Sequence, residues 1–115
     1  MSDLQNILNL SAFGMKAQAN RLRHVSENIA NADTPGYHRK TVSFEEVVEQ
    51  GAKTGAVNTG DVQLDQTELT RVYDPGHPMA GEDGFYDGSN VALMIEIADA
   101  REAQRSYEAN LKMFD

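Results

Sequence analysis

Apolar residues recur at two different periods along this chain, and the change of period marks its organisation. Between residues 3 and 31, Leu4, Leu8, Met15, Leu22, Val25 and Ile29 fall on one series of alternating four- and three-residue steps, with Ser11 and Gln18 as its polar members. Ala12, Ala19 and Ser26 run beside it. Such a period predicts a helix carrying a coiled-coil seam, here with residues small enough for close approach. Ser2 or Asp3 is placed to cap the start, and Asp3 to complement the helix dipole. Gly14 weakens the helix by roughly 1 kcal/mol relative to Ala, a cost that close packing of a second helix explains. The same spacing returns near the end in Leu93, Ile97, Ala100, Gln104, Tyr107, Leu111 and Phe114. Ser89 or Asn90 is the expected cap of that second helix.

The first helix has a specified exit. Pro35 lacks a backbone N–H and disfavours the helical conformation at Thr34. Thr34-Pro35-Gly36 then supplies Pro at i+1 and Gly at i+2, the type II arrangement. Asn28 and Asn31 lie three apart on the last helical turns, where their amides can bridge backbone groups as the chain reverses. Residues 40–44 predict a short extended strand. Residues 44–50 predict a helical turn with Ser43 as N-cap and Glu46 at the capping-box position. Residues 50–60 are unpatterned and predict a mobile loop. Residues 61–65 and 68–73 predict strands, and residues 84–86 a third between two Asp-Gly pairs that favour positive φ. The expected fold class is mainly α with a small β unit: long N- and C-terminal helices packing as a coiled coil, with short β-strands and loops between them. A discontinuous helical core domain (1–33 and 89–115) and a small β/loop domain (34–88) follow. So thin a β unit predicts marginal stability alone and folding on assembly.

Charge narrows the partners. The formal net charge is −8, but residues 1–40 carry +2 while residues 41–115 carry five basic and fifteen acidic groups. An acidic body leaves no basic face to displace phosphate counterions, which argues against nucleic acid. It suits subunits that meet through unlike ends. There is no cysteine, so disulfide, thiol and Cys-based zinc chemistry are out of reach. The first residues lack a basic stretch, and Asn9 and Ser11 interrupt the apolar run, so neither a cleavable signal peptide nor a membrane span is expected. His24, His38 and His77 show no ligand spacing. The acidic run at 82–87 lacks the EF-hand pattern. Phosphate loops, nucleophile elbows and zinc-protease motifs are missing from the sequence. No catalytic, cofactor-binding or metal residue is nominated, and the expectation is a protein that is not an enzyme and needs no cofactor.

Three blocks then accumulate into a family resemblance. Asn28-Ile-Ala-Asn-Ala-Asp-Thr-Pro-Gly-Tyr37 resembles the N-terminal signature of the axial proteins of the bacterial flagellum, the rod, hook and hook-associated proteins. Val72-Tyr-Asp-Pro-Gly-His-Pro78, with Asp83-Gly-Phe-Tyr86 and Asn90-Val91, is similar to the proximal-rod members in particular, and Arg105-Ser-Tyr-Glu-Ala-Asn110 to their C-terminal helix. The positions carried over as signature and assembly residues are Asn28, Ala30, Asn31, Thr34, Pro35, Gly36, Tyr37, Tyr73, Asp74, Pro75, Gly76, Pro78, Asn90, Val91, Tyr107, Ala109 and Asn110. Ser89 stands where family members carry proline, and members continue with further amphipathic helix past the position of Asp115.

The resemblance implies a structural subunit of the proximal rod of the flagellar basal body. It implies export without a cleaved signal through the flagellar type III apparatus and polymerisation in the periplasm into a rod that transmits motor torque and walls the export channel. The implied partners are other rod proteins, further copies of the chain, the basal-body ring or its adaptor, and the export apparatus. The expected seam sets Leu8, Met15, Leu22, Val25 and Ile29 against Leu93, Ile97, Ala100, Tyr107 and Leu111. Three alternatives stand beside it. A sister proximal-rod subunit shares the first block but not the run at 72–78. A coiled-coil export adaptor gives the Thr-Pro-Gly turn no role. A peptidoglycan hydrolase requires a carboxylate in a cleft.

Overall fold

A computed structural model describes residues 3–49 and 51–114. Helix α1 spans Asp3–Ala30 and helix α2 spans Leu93–Leu111, closed by a 3-10 turn over Lys112–Phe114. Six strands lie between them: β1 (Lys40–Thr41), β2 (Phe44–Glu49), β3 (Ala52–Thr59), β4 (Gln63–Leu64), β5 (Arg71–Tyr73) and β6 (Phe85–Asp87). They pair antiparallel as β1 with β4, β2 with β3, and β5 with β6. The chain is elongated, 67 × 32 × 16 Å. A helix of 28 residues accounts for most of that length, at about 1.5 Å per residue.

The two helices lie antiparallel. Gly14 faces Asn110, whose amide lies 2.9 Å from where a Cβ on Gly14 would sit. Arg21 reaches Asp99 and Glu102, and Asn28 reaches Glu96. The close approach expected at Gly14 is therefore present. The expected seam is not what closes the pair. The contact ridge of α2 is Glu96 and Ala103, both fully buried, with Asn110 one heptad further on. On α1 the buried residues are Ser11, Ala17, His24, Val25 and Asn28. Of the seam residues, Val25 is buried, Leu8, Met15, Leu22, Ala100 and Tyr107 are half-buried, and Ile29, Leu93, Ile97 and Leu111 are exposed. At about 100° per residue, both apolar series lie a quarter-turn from the contact ridge, on the side of the helix pair away from β2–β3. Small and polar side chains allow the backbones to approach, and the larger apolar ones are left to flank the contact.

Two elements differ from expectation. Residues 44–49 form a strand rather than a capped helical turn, and residues 52–59 form its partner rather than a mobile loop; Gln50 lies outside the described residues. The reason is cross-strand and tertiary. Gly51, at φ 79°, supplies the turn. Register breaks between Glu46 and Val48, with Gly55 at φ 80° in the facing bulge and the Thr54 hydroxyl donating to the Val47 carbonyl at 2.8 Å. Ala56 is then buried, Leu10 of α1 packs at Gly55, and the Asn20 amide donates to Thr59 at 3.0 Å. A hairpin laid on a helix outweighs a weak local helical preference. Helix α2 also starts later than expected, with Ala92 at the N-cap and no side-chain cap, because Ser89 and Asn90 are used elsewhere.

Among the described residues the buried apolar ones are Ala17, Val25, Ala56 and Ala103. Such a thin interior makes its few close contacts decisive. Ala103→Leu forces extra methylenes into the helix contact, and urea unfolding followed at 222 nm should show a loss of about 1–3 kcal/mol. Gln104→Leu, on the exposed flank, should leave the midpoint unchanged.

Candidate functional site

The functional candidate is the joint where α1 ends, the chain crosses to β1, and α2 begins. Its first component is the Thr-Pro-Gly turn. Gly36 has φ 76°, and the Tyr37 N–H donates to the Thr34 carbonyl at 3.2 Å, the geometry of a type II turn. The last turn of α1 leaves carbonyls without helical partners. Asn31 closes this end twice over, its N–H and its side-chain amide both donating to the Glu27 carbonyl, at 3.0 and 2.8 Å, while its Oδ1 accepts from the Thr34 hydroxyl at 3.1 Å. The Gly36 N–H points to the carbonyls of Asp87 and Gly88, at 3.2 and 3.1 Å, tying the turn to the end of β6.

Asn28 holds the centre. It is almost fully buried, and its carboxamide is engaged on both sides. Its Oδ1 accepts from the Tyr37 hydroxyl at 2.7 Å and from the Lys40 N–H at 2.8 Å. Its Nδ2 donates to the Lys40 carbonyl at 2.9 Å and to Glu96 Oε2 at 3.3 Å. One side chain of α1 thus mimics a strand neighbour for Lys40 and also touches α2. The other oxygen of Glu96 accepts from Arg39 Nε at 2.7 Å, and Arg39 also reaches Asp65 at 3.3 Å. Glu96 is wholly buried and so requires both of these partners.

Asn90 does the same work from the other side. Its Oδ1 accepts from the Arg39 N–H at 2.6 Å and its amide donates to the Asp65 carbonyl at 2.9 Å. His38 Nδ1 lies 2.8 Å from that same carbonyl, so this nitrogen carries the proton. The Ser89 hydroxyl donates to the Ala32 carbonyl, and its oxygen accepts from the Val91 N–H at 3.3 Å. Ser89 therefore secures the entry to α2 by hydrogen bonds at a position where proline has no donor to offer.

Charge follows the geometry. Burial works against the Arg39 guanidinium, but its contacts with Glu96 and Asp65 outweigh this and raise its pKa. The Thr67 N–H and hydroxyl, with Arg39 beyond them, hold the Asp65 carboxyl below its ordinary value. Lys40 and Glu27 pair at 2.5 Å, which raises the one and lowers the other. Partial burial raises Tyr37.

Asn28, Asn31, Thr34, Pro35, Gly36, Tyr37 and Asn90 come together here; Ala30 is the exposed last residue of α1. Tyr73, Asp74, Pro75, Gly76 and Pro78 form a second cluster on the β5–β6 hairpin. There Tyr73 packs edge-on against Phe85 at 5.0 Å, His77 stacks on Tyr86 at 3.9 Å, and Arg71 pairs with Asp83 at 2.8 Å. The Phe85 N–H and Arg71 hold the Asp83 carboxyl low. Gly84, at φ 83°, leaves no room for a side chain, since a Cβ would lie 2.7 Å from Tyr73. Val91 is half-buried beside Val72 and Tyr86. Tyr107, Ala109 and Asn110 sit on α2, remote from both clusters, with Asn110 against Gly14. Sequence reasoning missed Arg39, Asp65 and Glu96, and gave Ser89 a capping role. The one signal was a carboxylate, Glu96, between Ile95 and Ile97 in the apolar opening of α2. Among the described residues no group of three or more His, Cys, Asp or Glu could hold a metal ion.

Two terminal helices locked by a polar joint over small β-hairpins define a class, and the comparisons name it. Residues 8–38 match the family described as flagella basal body rod protein, and residues 82–115 match the flagellar basal body rod FlgEFG protein C-terminal family. Flagellar basal-body rod protein FlgC of Agrobacterium fabrum is 41% identical over 98% of this chain and 86% of its own length. The FlgC proteins of Escherichia coli O157:H7 and Aquifex aeolicus are 34% and 35% identical, over 97% and 99% of this chain and 88% and 89% of their own lengths. The chain belongs to the FlgC family of flagellar basal-body rod proteins, which is structural and not enzymatic.

The joint makes two measurable predictions. Asn28→Ala strands the Lys40 backbone, the Tyr37 hydroxyl and Glu96, and should lower unfolding free energy by at least about 2 kcal/mol; Asn58→Ala, at an exposed strand position, is the control. The depressed Asp65 carboxyl contributes stability above its unfolded pKa of about 3.9 and loses it as pH falls through the lower folded value. Acid unfolding followed by circular dichroism should therefore show a shallower acid limb in Asp65→Asn than in the unaltered chain.

Proposed function

We infer that this chain is a structural subunit of the proximal rod of the bacterial flagellar basal body. The observation that carries the inference is its likeness to FlgC rod proteins over nearly its whole length. No described helix is long and apolar enough to cross a membrane, and the apolar groups left exposed are those that subunit packing can bury. On this reading the helical layer (1–33 and 89–115) polymerises, and the apolar series flanking the helix contact, from Leu8 to Ile29 and from Leu93 to Leu111, meet those of neighbouring subunits in coiled-coil fashion. The β/loop layer (34–88) meets adjacent rod proteins and the basal-body ring or its adaptor. The chain reaches the periplasm through the flagellar type III apparatus without a cleaved signal, and the assembled helices transmit torque and wall the export channel. The joint couples the two layers. The sister rod subunit and the export adaptor are not favoured, since the relatives named here are FlgC rod proteins.

Two arms test this reading. The chain should co-purify with basal bodies, and its deletion should abolish motility; absence from basal bodies overturns the assignment. Pro35→Ala removes the restraint on the turn without touching the contact ridge. Far-UV helix content should stay the same while incorporation into basal bodies falls severalfold. Full incorporation would reduce the joint to a connecting loop.

A further inference from the structure

Two exposed patches of this chain carry unpaired charges of opposite sign. On α2, Arg101 and Arg105 lie on the edge of the helix pair farthest from α1, exposed and without an ion-pair partner among the described residues. Beside them are Ala98 and Met94, the latter 81% exposed. The β5–β6 hairpin carries the opposite pattern. Its tip exposes Tyr73 and Met79, each 64% exposed. Asp74 and Glu82 accompany them in the connecting loop, both exposed and both without an ion-pair partner among the described residues. The arginine pair on α2 and the carboxylate pair on the hairpin are opposite in sign, each set beside exposed apolar side chains, with the exposed Glu108 one turn beyond Arg105.

Within one chain the patches cannot meet. The hairpin is fastened to the joint through the Gly36, Thr70 and Ser89 backbones, whereas Arg105 lies twelve residues into α2 on the outward side, about 18 Å along the axis at 1.5 Å per residue. The hairpin already shows how it receives a guanidinium: Arg71 lies over the Phe85 ring at 5.3 Å while pairing with Asp83. Tyr73 with Asp74 and Glu82 offers the same combination of ring face and carboxylate, unfilled, to a second arginine.

We propose that the β5–β6 tip of one copy docks on the Met94, Arg101 and Arg105 strip of a second copy of this chain. The contact joins unlike surfaces, so it is head-to-tail and leaves a free tip and a free strip at the ends of any string of copies. Such contacts build rings or open helical arrays rather than closed two-fold dimers. The proposal rests on the reading of the chain as a polymerising rod subunit, and adds to helix-to-helix packing a charge-steered contact that sets the direction of addition.

The absence of cysteine allows a direct test. Met79→Cys and Ala98→Cys are made separately in the full chain, and the purified proteins are mixed with a short bismaleimide. The mixture should yield a cross-linked pair at least about fivefold above either variant alone, and the yield should fall severalfold near 0.5 M salt, where charge attraction is screened. Arg101→Glu with Arg105→Glu in the Ala98→Cys protein should suppress the product. Asp74→Lys with Glu82→Lys in the Met79→Cys protein should restore it, which separates recognition from misfolding. No mixed product, a product equally strong within one variant, or a yield indifferent to charge reversal overturns the contact. Absence of the unaltered chain from basal bodies strikes the rod assignment instead, so the two failures are distinguishable.

Discussion

The Asn28 carboxamide, set between the Lys40 backbone and the buried Glu96 carboxylate, is the constraint on which the rest of this structure depends. It is held from three sides: by the backbone of β1, by the Tyr37 hydroxyl and by α2. Arg39 completes the arrangement by neutralising Glu96 and reaching Asp65. A buried ion pair contributes little net stability compared with an apolar packing of the same shape, because both charges lose their water. It is demanding about geometry, however. Any rotation of α2 that moved Glu96 away would leave a carboxylate buried without partners. The polar joint therefore sets the register and tilt of the helix pair, a task that smooth alanine surfaces cannot perform alone.

That division of labour explains the unusual interior. The helices approach through Gly14, Ala17 and Ala103, and the larger apolar side chains are displaced to the flanks. A chain built to stand alone would reverse this, putting leucines inside and small residues anywhere. Here the hydrophobic contribution of Leu93, Ile97 and Leu111 is largely unrealised in one chain and becomes available on packing against others, at roughly 25 cal/mol per Å² of apolar surface buried. Orientation is fixed within the subunit by hydrogen bonds, and in the proposed rod adhesion between subunits falls to apolar contact and charge. In that proposal, what shapes a subunit is separate from what joins subunits.

Local signals accounted for the helices and for the turn between α1 and β1. Pro35 and Gly36 have few conformations open to them, and the observed φ of 76° at Gly36 is one that glycine adopts at no steric cost. Strand signals were read where they were locally strong, at β1, β4, β5 and β6, and missed at β2 and β3. Glu45, Glu46 and Val47 accept a helical turn as readily as a strand. What decided between them was Ala56 reaching α1 and Thr54 filling the bulge opposite Val47, contacts between residues distant in sequence from the helix they serve. Ser89 and Asn90 were read as caps because their side chains suit that role, and the tertiary structure used the same oxygen and amide groups to hold Ala32, Arg39 and Asp65.

By itself, then, the amino-acid order determined that two long amphipathic helices frame short strands, that the first helix ends in a rigid reversal, and that the signature blocks are those of a flagellar axial protein. Periodicity and restricted backbone angles are properties of neighbouring residues, so they survive without a folded context. Which face of each helix is turned inward was decided only in three dimensions. A heptad pattern says that an apolar stripe requires cover but not whose surface covers it. Glu96 and Asn28 turned the small, polar ridges toward each other because a buried charge must find its hydrogen bonds, whereas a leucine left half-exposed can wait for a neighbour.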